Sequence, residues 1–402
     1  MATGTATQQS PGQEAGRPQP QTTVEASGGG PFVRHSQPGR APIYNVTGST
    51  LGSVITQPLV ARPGYFRNLR VTQTVTGGTG TSATYFPDAP FSLNSLIQLK
   101  DAFGTPLIVA PGYEATQLIP TFSGAFGLLN GTNVQANLPS SIAFTASGNG
   151  NGSISYSLPL EFAKAYGVLS AANASLLPTL QFNLNSTAGF YNAAPGGSPV
   201  VQTQVDTDFY WLPEGVAVEP PGLGTTRQWI LQQANPQIPA SGSARIQFPR
   251  LGGYLDTLIM EVRNNAGANN RDGGYWPSRL QIYVDGVPMI DSTIGELMDD
   301  MAISFGLTPT QIGWSSNALV VPSFANQNLG GVLAVSRKTS LNQVSLGLLD
   351  TGEALLSTNP GTLLEANFAP AGAGTAGTAA TMSVLIGQIV PTGAIIQGLP
   401  EA

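Results

Sequence analysis

The sequence has no cysteine, one histidine and little charge: only 9% of its 402 residues are Asp, Glu, Lys or Arg, against about 25% in an average soluble chain. Each scarcity excludes something. Without cysteine there is no disulfide scaffold and no thiolate metal site. The single His35 lies in a polar N-terminal stretch, so a folded Ser-His-Asp or metal-histidine site has no histidine to use. Too few charged helix formers are present for a coiled coil or helical bundle. The 22 acids outnumber the 16 bases, which argues against a protein that neutralises nucleic-acid phosphates. No run of 18 or more apolar residues occurs, so no transmembrane helix is expected. Met1–Pro11 has neither the basic head nor the apolar core of a secretory signal.

What is abundant is turn-forming sequence: 49 Gly and 32 Pro make up about a fifth of the chain. With 41% apolar residues and a net charge of −6, the chain can still bury a core. Residues 1–42 stand apart. Runs such as Arg17-Pro18-Gln19-Pro20-Gln21 and Gly28-Gly29-Gly30 cannot offset their ordering entropy, and predict a flexible arm. Its sticky piece is Phe32-Val33-Arg34-His35.

From residue 43 short apolar runs alternate with Gly, Asn, Ser, Thr and Pro clusters, the pattern of many short strands joined by turns. Tyr65, Leu69, Val71 and Val75 are placed on one strand face, with Asn68, Arg70, Thr72 and Thr74 on the other. Leu180, Phe182 and Leu184 alternate with polar residues, as do Leu280, Ile282 and Val284. Met382–Ile386 is apolar on both faces and predicts a strand buried in a sheet centre. The best helix is Thr293–Ile303, where Thr293 and Glu296 form a capping box and Ile294, Leu297, Met298 and Met301 share a face. Glu161–Leu169 is a weaker helical stretch, and Gly372–Gly377 reads as an exposed loop.

The pattern repeats once. Gly64-Tyr65-Phe66-Arg67-Asn68-Leu69-Arg70-Val71 aligns with Gly253-Tyr254-Leu255-Asp256-Thr257-Leu258-Ile259-Met260, an offset of 189. Leu96–Asp101 then resembles Leu280–Asp285, one residue out of step in alternation, and Thr105-Pro106-Leu107-Ile108 resembles Val287-Pro288-Met289-Ile290. The expectation is an all-β chain of two tandem eight-stranded jelly rolls with a few short helices in loops. The first roll is placed at 43–215, a Pro-rich linker at 216–234 and the second roll at 235–402. Helix-bearing loops favour a jelly roll over a tight immunoglobulin-type sandwich.

No chemical motif emerges. Glu161, Asp206, Asp208, Asp256, Asp285 and Glu296 are the carboxylates open to a two-acid glycosidase, but turn and surface roles explain them more simply. The acidic cluster Asp291, Glu296, Asp299 and Asp300 lacks a calcium-loop pattern, and helix capping accounts for it. No catalytic residue, metal ligand or cofactor is assigned.

The strand run Gly64–Val75, the segment Ser153-Ile154-Ser155-Tyr156-Ser157-Leu158-Pro159-Leu160, the following Val168–Leu184, and Gly253–Val262 opening the second half resemble the double jelly-roll major capsid proteins of the tectivirus-like phage and adenovirus lineage. That resemblance implies a non-enzymatic homotrimer, a pseudo-hexagonal capsomer of an icosahedral bacteriophage shell, assembled in the host cytoplasm and residing in the virion. Implied partners are neighbouring capsomers, penton and minor capsid proteins, and an internal membrane beneath the shell, with no sequence-specific nucleic acid. The N-terminus here is polar and Pro-rich, unlike the basic, helical membrane-touching arm of some members. Low charge suits a surface covered by copies of itself, since burying unpaired charge is costly. Phe32, Val33, Arg34 and Arg40 are the candidate inter-capsomer contacts of the arm. A spike or fibre protein, and a β-sandwich carbohydrate-active enzyme, are the competing readings. The absence of short fibre-type repeats weighs against the former.

Overall fold

The computed structural model describes residues 30–123, 141–231, 237–238, 244–248, 253–263, 271, 276–305, 307, 329–336, 356–357, 364–368 and 380–391, apart from 62, 81, 87, 145–147, 163–164, 172–175, 214–217 and 222. Most of the expected arm, residues 1–29, and the loop Gly372–Gly377 lie outside the described residues.

Among the described residues, eight principal strands build the first half: β1 (Gln37–Thr50), β2 (Val54–Pro58), β3 (Tyr65–Thr79), β4 (Asn94–Lys100), β5 (Pro106–Ala110), β6 (Gly152–Pro159), β7 (Thr179–Leu184) and β8 (Gly196–Trp211). They form two sheets, ordered β1-β8-β3-β6 and β2-β7-β4-β5, which enclose one apolar core including Leu69, Val71, Ile97, Leu99, Leu180 and Phe182. The second half follows with β9 (Thr225–Leu231), β10 (Ala244–Gln247), β11 (Tyr254–Arg263), β12 (Arg279–Val284), β13 (Val287–Thr293), β14 (Val332–Ser336), β15 (Leu364–Phe368) and β16 (Ala380–Pro391). Their order is β9-β16-β11-β14 and β10-β15-β12-β13. Counted from each roll's first strand, both halves read 1-8-3-6 and 2-7-4-5. This is the same jelly-roll winding twice. A smaller core of Leu258, Met260, Leu280, Ile282, Val384 and Ile386 fills the second roll.

All three sequence matches fall on equivalent strands: β3 with β11, β4 with β12, β5 with β13. The repeated Gly has a repeated cause. A Cβ on Gly64 (φ +130) would lie 1.9 Å from the Tyr210 carbonyl oxygen of β8, and one on Gly253 would lie 2.5 Å from that of Ile389 in β16. In each roll the eighth strand passes so close to the start of the third that only Gly fits. The one-residue slip in the second match is also real. Ile97 and Leu99 are buried in β4, whereas Leu280 and Ile282 are buried in β12. The turns absorb the difference. β12 and β13 join through Asp285-Gly286 at φ 50 and 80, a two-residue hairpin, while β4 and β5 join through Asp101–Thr105, whose first residue accepts from the backbone N–H of Phe103 and Thr105.

Several expectations need correction. Tyr65 is out of phase with Leu69, because a bulge at Arg67 shifts the register and turns Phe66 into the core instead. Glu161–Leu169 is not helical among its described residues. The Glu161 carboxylate instead accepts from the N–H of Ala165, from Arg67 and from the Tyr210 hydroxyl, so this segment is a loop held by side chains. The arm boundary at 42 falls inside β1, where Gln37–Pro42 pair with Trp211–Asp206 of β8. The linker 216–234 contains β9, the first strand of the second roll.

The 382–386 strand lies, as its pattern demands, between β9 and β11. After the short helices α1 (Gly30–His35), α2 (Ile119–Phe122) and α3 (Thr187–Phe190), α4 (Ile294–Phe305) carries the capping box: Thr293 N–H donates to Glu296 Oε2 at 2.9 Å, and Glu296 N–H to Thr293 Oγ1 at 3.3 Å. Its Ile294, Leu297, Met298 and Met301 are buried.

Candidate functional site

The two rolls are joined through a continuous sheet. β9 runs parallel to β5, with Trp229 opposite Ile108 and Ile230 opposite Val109. Sequence patterns cannot show this contact, because β5 is an edge strand of one roll and β9 an edge strand of the other. Around it the outer face of the β9-β16-β11-β14 sheet carries a buried apolar patch. Trp229, Ile259, Leu385, Val332 and Ala334 join the core of the first roll rather than the second. The first roll covers that face with the π turn Glu114–Leu118 and α2 (Ile119–Phe122), whose Phe122 ring meets Phe305 of α4 edge-on at 4.8 Å.

Buried charges pin the same seam. Asp88 of the first roll takes Arg271 Nε at 2.8 Å and Arg263 Nη1 at 2.6 Å from the second. The Arg271 guanidinium lies 3.9 Å over the Tyr113 ring and donates to the Gly330 carbonyl. Arg263 also pairs with Glu261. Burial opposes ionisation of Asp88, yet the two guanidiniums outweigh it and hold its carboxyl below the usual range. The two glutamates go the other way. Burial raises Glu114, and burial pushes Glu261 up to about 8, against the pull of Arg263 and reinforced by Glu114 and Asp88. Two arginines face three buried carboxyls, and the charge balance favours the neutral form of the glutamates over that of Asp88. A second pair, Arg227 with Asp256, pins the seam toward the other end of β11. Arg227 donates at 2.7 Å to the Ser123 carbonyl of the first roll and stacks 4.5 Å over Trp229.

The sequence flagged none of these seam charges except Asp256, and that one for a different role. Asp88 and Arg271 are 183 residues apart. One signal was present: Glu261 interrupts the apolar run Leu258-Ile259-Met260 before Val262, a charge in a strand otherwise buried on both faces.

The structure scatters the arm candidates. Phe32, in α1 (Gly30–His35), is 1% exposed. It is wedged edge-on between Tyr65 at 5.6 Å and Tyr210 at 5.3 Å. It therefore belongs to the chain's own core and is not a free contact, because Ala165, Val168 and Tyr210 already enclose it. Val33 is half-buried against the same cluster. Arg34 is exposed. Arg40 remains largely exposed while its Nε reaches Asp208 at 2.8 Å. Asp208 also accepts from Arg70 and Asn68. Partial burial opposes its ionisation, but these donors hold it below the usual range.

The other acids are dispersed. Asp206 accepts from Gln204, Asp285 occupies a hairpin tip, and Glu296 caps α4. Asp291 pairs with Arg279, and Asp299 and Asp300 are exposed on α4. Among the described residues no group of three His, Asp or Glu is placed to hold a metal ion, and no helix is long and apolar enough to cross a membrane.

No protein-family model matches the sequence, and no curated protein matches it either. Solved structures do. The major capsid protein of Sulfolobus turreted icosahedral virus superposes with a TM-score of 0.56 at 16% identity, over 89% of this chain and 98% of that one. A capsid chain of the virus PBCV-1 gives 0.53 at 12% identity, over 88% and 93%. Both likenesses run across the two rolls together, so the chain has the double jelly-roll fold of viral major capsid proteins.

Proposed function

We propose that the chain is the major capsid protein of an icosahedral virus and builds its shell from trimeric capsomers. The observation that carries this is the seam: two rolls of identical winding locked side by side by a shared sheet and buried ion pairs. Such a unit is a rigid tile with two similar faces. A tile of that kind associates head to tail and closes into a ring, and repeated weak contacts over a closed shell sum to a stable particle. No chemistry is required of it, and each carboxylate once considered for hydrolysis has a structural role described above. Penton and minor capsid proteins, and a membrane beneath the shell, are its natural neighbours in such a particle. Assembly in the host cytoplasm belongs to the same proposal, as does an outward role for Arg34 and Arg40 toward adjoining copies.

Negative-stain microscopy with mass photometry of the purified chain tests this. Hexagonal-looking trimers, and shell-sized particles on concentration, are the expected result. A chain that stays monomeric at every concentration, with no particle, overturns it.

A further inference from the structure

The lead into β6 carries two Asn-Gly steps in succession, Asn149-Gly150-Asn151-Gly152. Such a step is chemically labile. The backbone nitrogen of the glycine can attack the carboxamide carbon of the asparagine, because no side chain on the following residue stands in its way. The residue types alone rank the two steps equally. The structure separates them.

Asn149 is exposed, so departing ammonia and incoming water have access to it. Its Oδ1 accepts from the N–H of Asn151 at 3.1 Å, which folds the carboxamide back over the 149–150 peptide in a side-chain turn. Attack by the Gly150 nitrogen places negative charge on that same oxygen. The Asn151 N–H already points at it, as an oxyanion donor does.

Asn151 is held in the opposite way. Its Oδ1 accepts from the Gly78 N–H at 2.8 Å, and its Nδ2 donates to the Gly78 carbonyl at 3.1 Å. The two bonds clamp the carboxamide onto the end of β3, and turning its carbon toward the Gly152 nitrogen breaks them.

The fold also keeps the reactive glycine in place. Gly150 has φ +77, and a Cβ there would lie 2.7 Å from the Pro195 ring and 3.1 Å from that of Tyr191. Only Gly fits, and Gly is the residue that leaves the step labile. The Gly150 carbonyl accepts from the Tyr191 hydroxyl at 2.7 Å, which ties this corner to the segment before β8.

We propose that Asn149 is a site of spontaneous deamidation and that the Gly78 clamp protects Asn151. The Gly150 nitrogen loses its proton and bonds to Asn149 Cγ. The Cγ–Nδ2 bond breaks, and the nitrogen leaves as ammonia with that proton. The succinimide so formed takes up one water at either carbonyl and opens to aspartate or isoaspartate. One water enters and one ammonia leaves, with no oxidant or cofactor. Either product adds a negative charge to a chain of net charge −6. Isoaspartate also lengthens the main chain by one methylene. That displaces Gly150 and Asn151, and so loosens both the Tyr191 bond and the clamp on β3.

The full chain, folded and separately unfolded in guanidinium chloride, is incubated at neutral and mildly alkaline pH. Fragmentation mass spectrometry of the peptide spanning residues 149–152 then scores each asparagine, with isoaspartate-specific methylation as a second readout. In the unfolded chain the two steps should convert at similar rates. In the fold Asn149 is expected to outpace Asn151 by roughly ten- to a hundredfold, the factor that two broken hydrogen bonds add to the barrier at Asn151. The rate should rise with pH, because the attacking nitrogen must lose its proton. Asn149→Gln should remove isoaspartate from this peptide. Equal rates in the fold overturn the proposal. So does an Asn149 that stays intact when folded while the unfolded chain converts, or isoaspartate that Asn149→Gln leaves unchanged.

Discussion

Glu261, whose carboxyl is raised by burial at the seam, makes stability depend on pH in an unusual direction. Glu261 titrates near 4.5 in an unfolded chain and is held up to about 8 in the fold. Between those values the folded state binds a proton that the unfolded state does not. Stability from this group is therefore complete below about pH 4.5, declines as pH rises to about 8, and is flat beyond. Each pH unit in that window is worth at most about 1.4 kcal/mol, so the full loss is bounded near 5 kcal/mol. Carboxyls such as Asp88 and Asp208, held below their usual range, act in the opposite sense and only in more acid solution. Glu261→Gln copies the protonated form. Urea midpoints measured from pH 5 to 9 check the argument. The two proteins should coincide near pH 5, and the Gln variant should become the more stable as pH rises. Parallel pH profiles would refute the raised carboxyl of Glu261 at the seam.

Two further outcomes follow from packing. Phe32→Ala, which empties the space between Tyr65 and Tyr210, should cost about 3–5 kcal/mol and open residues 30–36 to protease. A variant with wild-type melting and protease resistance would place Phe32 outside the core. Gly387→Ala sets a methyl 2.7 Å from the buried Trp229 ring, with an expected cost of about 1–3 kcal/mol and a shifted tryptophan emission. An unchanged spectrum and melting temperature would contradict the close approach of β16 to β9.

How far the sequence was legible depends on the range of the information. Alternation in Leu180-Gln181-Phe182-Asn183-Leu184 and the capping box at Thr293 are local, and both appear as read. The doubled Gly-Tyr strand was legible because one constraint, an eighth strand crossing above a glycine, operates twice. Boundaries were not. β1 begins inside the polar, proline-rich stretch, since an edge strand tolerates Pro38 and Pro42, and composition there resembles an unfolded arm. Phe32 looked like the sticky end of a tail, because nothing nearby in sequence announces Tyr65 and Tyr210.

By itself the sequence determined the all-β class, the duplication, and a surface too poor in charge for most other trades. These are matters of residue type and short period. Only the tertiary structure decided that the two rolls share a sheet and that Asp88 meets Arg263 and Arg271 across a buried seam. Those are pairings over more than a hundred residues of chain. Their partners are chosen by shape, burial and charge once the rolls have closed, and no local pattern records the choice.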